Sequence, residues 1–223
     1  MCIAIYLPAG KELSEETLKI CNDANPDGMG FAFFNDKNEL IINKEVEPKK
    51  ILRKIKLFPI IRKNFINRPF LVHFRIATHG KISKPCCHPF RVDSDTVFCH
   101  NGILRQEYGL SIQSKISDTM MFNKSILQRI EKKDLNRMME SKNDVFRDLL
   151  EGYIGSGNKM VILNSKDQYV ILNEHLGVWD NGIWFSNTSY KVIRYTQPAK
   201  YWQQSWYDPK TKTWKGWGTE WIS

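Results

Sequence analysis

The sequence predicts an α+β fold whose β-sheets are assembled from both ends of the chain. Three observations lead there. Short apolar runs of strand type crowd residues 2–100, helical patterns fill residues 117–153, and strand runs return between 160 and 185. That order argues for sheets drawing on distant segments and not for alternating βαβ units. With 223 residues the chain suffices for one large domain or two small ones.

Residues 2–7 form an apolar run with little alternation, as expected of a strand buried on both faces. Pro8, Ala9 and Gly10 turn the chain. Ser14, followed by Glu15 and Glu16, starts a helix that carries Leu18 and Ile20 and runs to about Cys21. The turn-rich stretch 25–30 (Asn-Pro-Asp-Gly-Met-Gly) feeds a strand at 31–34, and residues 35–38 connect it to a strand at 40–42. Residues 47–66 are helical and basic, with Lys49, Lys50, Arg53, Lys54, Lys56, Arg62 and Lys63 around an apolar face; such a run is the pattern of a solvated helix face. A strand at 70–76 ends in Ala77-Thr78-His79-Gly80, and another at 96–100 ends in Asn101-Gly102. Ser117 caps a helix expected to continue to about Ile130, with Asp118 in its first turn. Helices at 134–139 and 144–153 follow, the last stopped by Gly155-Ser156-Gly157. Strands at 160–163 and 169–172 flank a turn, and strands at 177–179 and 183–185 flank Asp180-Asn181-Gly182, a strong hairpin signal. Beyond Tyr190 the chain is basic and rich in tryptophan, with a hairpin expected around Asp208-Pro209-Lys210 that packs its tryptophans on the domain or docks a partner.

Composition is that of a globular protein, 42% hydrophobic and 26% charged. No apolar run approaches the ~20 residues of a membrane span, and no basic region with a long apolar core opens the chain, so neither a membrane span nor a secretory signal is expected. Five cysteines, two of them adjacent at 86 and 87, do not make a disulfide framework; free thiols and a cytoplasmic location are expected. The net charge of +9 favours an acidic partner, with nucleic acid or a nucleotide acceptor among the classes it allows.

Three places carry chemistry. Removal of Met1 would leave Cys2 with its thiol and a free α-amine on one Cα, a nucleophile and a base of pKa about 7.7–8.0 in one residue. Arg75, just inside a strand end, offers a planar fork suited to a carboxylate. Asn101 and Gly102 offer a side-chain amide and a backbone N–H, two neutral donors of the kind an oxyanion hole needs. Each also has a plainer reading: a buried strand cysteine, a surface arginine, an ordinary tight turn. Four of the five histidines fall between residues 73 and 100, yet no zinc-type C-x-x-C or H-x-x-x-H pair is present, so neither a metal ion nor a cofactor is expected.

Taken together, Met1-Cys2, the 25–30 segment, His73 to Gly80, Cys87-His88-Pro89-Phe90, His100-Asn101-Gly102 and Ser117-Asp118-Thr119 occur in the order found in class II glutamine amidotransferases. These are N-terminal-nucleophile (Ntn) hydrolases with a four-layer αββα sandwich. The resemblance covers about residues 2–190 and includes the stretch 184–190. It implies that Cys2 attacks the side-chain amide of glutamine, that Asn101 and Gly102 form the oxyanion hole, and that Arg75 and Asp118 hold the substrate α-carboxylate and α-ammonium. Thr78 and His79 would line the pocket; Asp27, Gly30 and His88 would support it. The sequence departs from the family at Asn25 and Pro26, where arginine and glycine are frequent, and at Ile76, where an aromatic often follows the arginine; both departures bear on pocket shape.

The resemblance implies a domain at 2–190 and an extension at 191–223 too short for a synthase. A stand-alone glutaminase-type subunit serving a separate synthase is therefore expected. Two alternatives remain: an Ntn hydrolase acting on another amide, and a non-catalytic module binding nucleic acid or protein through the basic helix and aromatic tail.

Overall fold

The computed structural model describes residues 2–104, 110–111, 113–141, 144–191, 206–208 and 213–215. The chain divides into two compact units, Met1–Lys191 and Val192–Ser223.

The first unit holds two antiparallel sheets. One has six strands in the order β3 (Leu40–Glu45), β2 (Gly28–Phe34), β4 (Phe70–Arg75), β1 (Ile3–Leu7), β10 (Ile183–Phe185) and β9 (Val178–Asp180). The other has four, β5 (Phe90–Arg91), β6 (Thr96–Asn101), β7 (Lys159–Asn164) and β8 (Tyr169–Leu172). The expectation of sheets drawn from both ends holds: β1 pairs with β4 on one side and with β10 on the other.

Strand pleating sorts the side chains into layers. On β1, Ile3, Ile5 and Leu7 join a core with α1 (Glu15–Ala24) and α2 (Pro48–Asn64), while Ala4 and Tyr6 face the second sheet. On β6, Phe98 packs against α3 (Asp118–Ser125), α4 (Lys132–Glu140) and α5 (Val145–Ile154), while Val97 and Cys99 face the first sheet. The result is helix layer, sheet, sheet, helix layer: the αββα sandwich. The weak alternation of β1 follows from this position, since all five of its residues are buried on one face or the other.

Helix ends follow local chemistry. Ser14 caps α1 by accepting from Thr17 N at 3.0 Å, and Ser117 caps α3 by accepting from Met120 N at 3.2 Å. The expected helix to Ile130 is shorter, because α3 stops at Ser125 and residues Leu127–Arg129 tighten into a 3-10 turn that buries Leu127. The basic run on α2 is mostly the solvated face expected of it, with Lys49, Arg53, Lys56 and Lys63 exposed. Arg62 is the exception. It is buried and donates to the carbonyls of Pro8, Lys11, Phe65 and Arg68, closing the turn after β1 against the end of α2. Its charge is spent on the fold and not on a ligand.

In the second unit, β11 (Trp206–Asp208) pairs antiparallel with β12 (Thr213–Lys215). The turn residues Pro209 and Lys210, and the packing expected of Trp202, Trp217 and Trp221, lie outside the described residues. Among the described residues no helix is long and apolar enough to cross a membrane.

Candidate active site

One end of the sandwich is polar. The pleat that turns Leu71 toward the second sheet turns His73 and Arg75 the same way, and the pleat of β6 turns Asn101 to meet them. Cys2 enters this end immediately before β1. Its Sγ donates to Ile76 O at 3.3 Å and accepts from Ile76 N at 3.4 Å, while Asn187 Nδ2 donates to its carbonyl at 2.7 Å. Burial pushes the Cys2 thiol above its ordinary range; the Ile76 amide and the Arg75 charge pull partly the other way.

The end of β4 is stitched down by Asp27. Its backbone N–H donates to Arg75 O at 2.9 Å, and its Oδ2 accepts from Ala77 N at 2.8 Å. Gly30, on β2, lies under the 86–89 segment. A Cβ there would come within 1.9 Å of His88 O, so only glycine allows the approach.

Arg75 is 4% exposed. The fork expected to be open to a ligand is largely engaged: Nη1 donates to Lys81 O at 3.1 Å, and Nη2 to His79 O at 2.9 Å and Gly80 O at 2.7 Å. The chain doubles back over the guanidinium after β4, and its carbonyls take three of the five N–H groups.

From the second sheet, His100 bridges Thr119 Oγ1 at 3.0 Å and Asn158 Oδ1 at 2.8 Å, and its carbonyl meets His73 Nε2 at 3.0 Å. The His88 ring lies 4.1 Å from that of His73. Burial holds all three histidines neutral: His73 is pushed down to about 3, and His88 and His100 are lowered as well. Asn101 Nδ2 donates to Ser186 Oγ at 2.8 Å, and its Oδ1 is buried without a partner among the described residues. Gly102 has φ 145°, and a Cβ there would lie 2.2 Å from Asn158 Oδ1. Asp118, at the N-terminus of α3, accepts from Leu104 N and Thr119 N, both at 2.8 Å.

Two cavities meet at Cys2. A polar pocket of ≈ 20 Å³, about the space of one water molecule, is lined by Cys2, Arg75, Thr78 and His79 on one side and by His88, Gly102 and Asp118 on the other. A larger chamber of ≈ 260 Å³ is lined by Cys2, Thr78, Asn101, Gly102, Ile103 and Gly157. Of the residues singled out from sequence, Asp27 and Gly30 line neither cavity; they lie behind, holding the walls. Residues not singled out complete the site. His100, Ser117 and Thr119 line the polar pocket, and each adjoins a residue already picked. Ser186 and Asn187 come from the late strand and loop, and only their place within the 184–190 stretch hinted at them. Among the described residues no group of three or more His, Cys, Asp or Glu is placed to hold a metal ion.

The family model described as "Glutamine amidotransferases class-II" matches residues 15–177. That span is well over half of the chain, and the chain belongs to the class II glutamine amidotransferases. No curated protein sequence matches it. Among solved structures, a glutamine aminotransferase class-II domain protein from Silicibacter pomeroyi is similar, with 14% identity and a TM-score of 0.39 over 83% of this chain and 87% of that one. The matched family span begins beyond Cys2, so the thiol stands on its geometry alone.

Proposed function

We propose that this protein hydrolyses the side-chain amide of L-glutamine with Cys2 as nucleophile, releasing glutamate and passing ammonia to an acceptor on a separate synthase. The observation that carries the reading is the convergence of Cys2 Sγ, Gly102, Arg75 and Asp118 on one pocket. With Met1 removed, the α-amine of Cys2 takes the thiol proton as Sγ attacks the amide carbon. A raised thiol pKa suits this: at neutral pH the sulfur holds its proton until the adjacent amine removes it. The carbonyl oxygen, now negative, is met by Gly102 N–H and the Asn101 amide. Ser186 Oγ accepts from Ala4 N at 2.9 Å and keeps its own hydrogen to donate. With the Asn101 amide turned over, Ser186 donates to Oδ1 and both Nδ2 hydrogens are free for the oxyanion. The tetrahedral intermediate collapses to a γ-glutamyl thioester as ammonia leaves with a proton from the α-ammonium. Water then cleaves the thioester to glutamate and the free thiol.

Asp118 at a helix N-terminus binds the substrate α-ammonium through its remaining lone pairs, and the two N–H groups of Arg75 without a partner among the described residues take the α-carboxylate. Because the polar pocket has room for about one water, glutamine enters only as the 77–81 loop swings outward, which loosens the Arg75 clasp. Asp27, Gly30 and His88 keep that loop and its neighbours in place. The Trp-rich segment 191–223 is the docking element for the synthase.

The test is glutamate release from L-glutamine by protein with a processed N-terminus, compared with Cys2→Ala and with protein carrying a retained residue before Cys2. Loss of at least about 10³-fold is expected in both, since removing a nucleophile commonly costs that much or more. Full activity with a blocked N-terminus would refute the assignment of the α-amine as base.

A further inference from the structure

The two cavities at Cys2 differ in size and in lining. The polar pocket, with Arg75 and Asp118, suits an α-amino acid end once the 77–81 loop has opened; closed, it has ≈ 20 Å³. The chamber on the other side of the sulfur has ≈ 260 Å³. One water-sized molecule such as ammonia needs about 10–15 Å³ by the same measure. The chamber's described walls are Ile103, two glycines, Cys2, Thr78 and Asn101, with no charged side chain among them. An amide attacked by Cys2 has two ends, the acyl group and the nitrogen substituent. If the amino acid end lies against Arg75 and Asp118, the nitrogen substituent lies in the chamber.

From this we infer that the preferred substrate is a γ-glutamyl amide of an uncharged, apolar amine, with glutamine the smallest member of the series. The inference rests on the proposed glutaminase chemistry and adds to it the leaving group. The steps balance as for glutamine. Sγ bonds to the amide carbon, the C–N bond breaks, the amine departs with the proton held by the Cys2 α-ammonium, and water supplies the oxygen and proton that return glutamate and thiol. The amine leaves through the chamber, whose outer wall, Ile103, is 48% exposed.

Gly157 provides a handle on the chamber. A Cβ added there meets no atom of the described residues within 4 Å, so alanine is accommodated by the fold, and a longer side chain reaches further into the space.

The experiment measures kcat/KM for glutamate release from L-glutamine and from the γ-glutamyl methyl-, propyl- and butylamides, with the 4-aminobutyrate amide as a charged control of matching length. The rate constant is expected to rise by up to about fourfold per methylene buried, and the charged control to fall at least tenfold below the butylamide. In Gly157→Leu, and less so in Gly157→Ala, the ratio of butylamide to glutamine should fall toward one. Glutamine cleaved as well as or better than every alkylamide would overturn the chamber assignment and leave the glutaminase reading standing. No glutamate from any substrate, with Cys2 unlabelled by a glutamine-mimicking electrophile, would overturn both. Equal rates for the charged and uncharged amides would overturn the apolar specificity.

Discussion

Between the two sheets, the middle of the sandwich is apolar: Ala4, Tyr6, Ala32, Phe34 and Leu71 pack against Val97, Cys99, Val161, Leu163 and Ile171. Further along β4 and β6 the same inward faces carry His73, Arg75 and Asn101, all at most 4% exposed. One pleat therefore builds two interiors. In the first, burial alone stabilises, at about 1.5–3 kcal/mol for each large side chain. In the second, polar groups call for partners of the right kind, because an unmet one costs about 1–3 kcal/mol, and Asn101 Oδ1 has none among the described residues. The polar end has directed bonds where the middle has packing, and its tolerance of substitution and of pH should be correspondingly narrower.

The comparison breaks most visibly in the apolar interior. Phe34 is fully buried between the sheets. Phe34→Ala should cost about 3–5 kcal/mol in urea unfolding while leaving kcat of the folded fraction nearly unchanged. A large loss of kcat would mean that the two interiors are coupled. Next is Asn101→Ala, which should lower kcat by 10²–10³-fold, about 2.7–4 kcal/mol, if the amide serves the oxyanion. A loss under tenfold would reduce Asn101 to a partner of Ser186.

The histidines sharpen the contrast through pH. His73 is held down to about 3 when folded and titrates near 6.5 when unfolded, so between those values the unfolded chain binds the extra proton. Its stabilisation is complete above about pH 6.5 and is lost as pH falls toward 3. His88 and His100 act in the same sense. Each contributes a slope of up to about 1.4 kcal/mol per pH unit. The urea midpoint should therefore fall from pH 6.5 to pH 5, ahead of most carboxylate titration; a flat midpoint over that range would contradict the assignment. The smallest effect is a control far from the polar end: Ser14→Ala removes the α1 cap and should cost about 1 kcal/mol in thermal unfolding with no change in kcat.

What the sequence disclosed depended on how local its cause was. Strand ends were legible because Ala77 to Gly80 and Asn101-Gly102 punctuate apolar runs, and the α1 and α3 caps because Ser14 and Ser117 precede them. The stop of α3 at Ser125 was not, since no glycine or proline marks it and the cause is the burial of Leu127 in a core made by distant residues. Arg62 looked like one more cation on a charged face; its burial depends on where four carbonyls, from two separate turns, come to lie. The three donors that Arg75 gives to the loop were hidden for the same reason. Gly157 illustrates the limit best. It was legible as a helix stop, but its role as a wall of the chamber beside Cys2 depends on how β6 and the α5–β7 turn meet.

The position of β1 has a consequence for synthesis. β1 pairs with β10, and Ala4 N donates to Ser186 Oγ, 182 residues later. At about 5–20 residues per second, the polymerising ribosome delivers that partner roughly 10–40 s after β1 emerges. During that interval β1 has one of its two strand neighbours at most, β4. Once β10 zips in, Asn187 grips the Cys2 carbonyl. The order of translation thus leaves Cys2 reachable first and ties it to the sheet last, a timing that suits the N-terminal processing proposed for it.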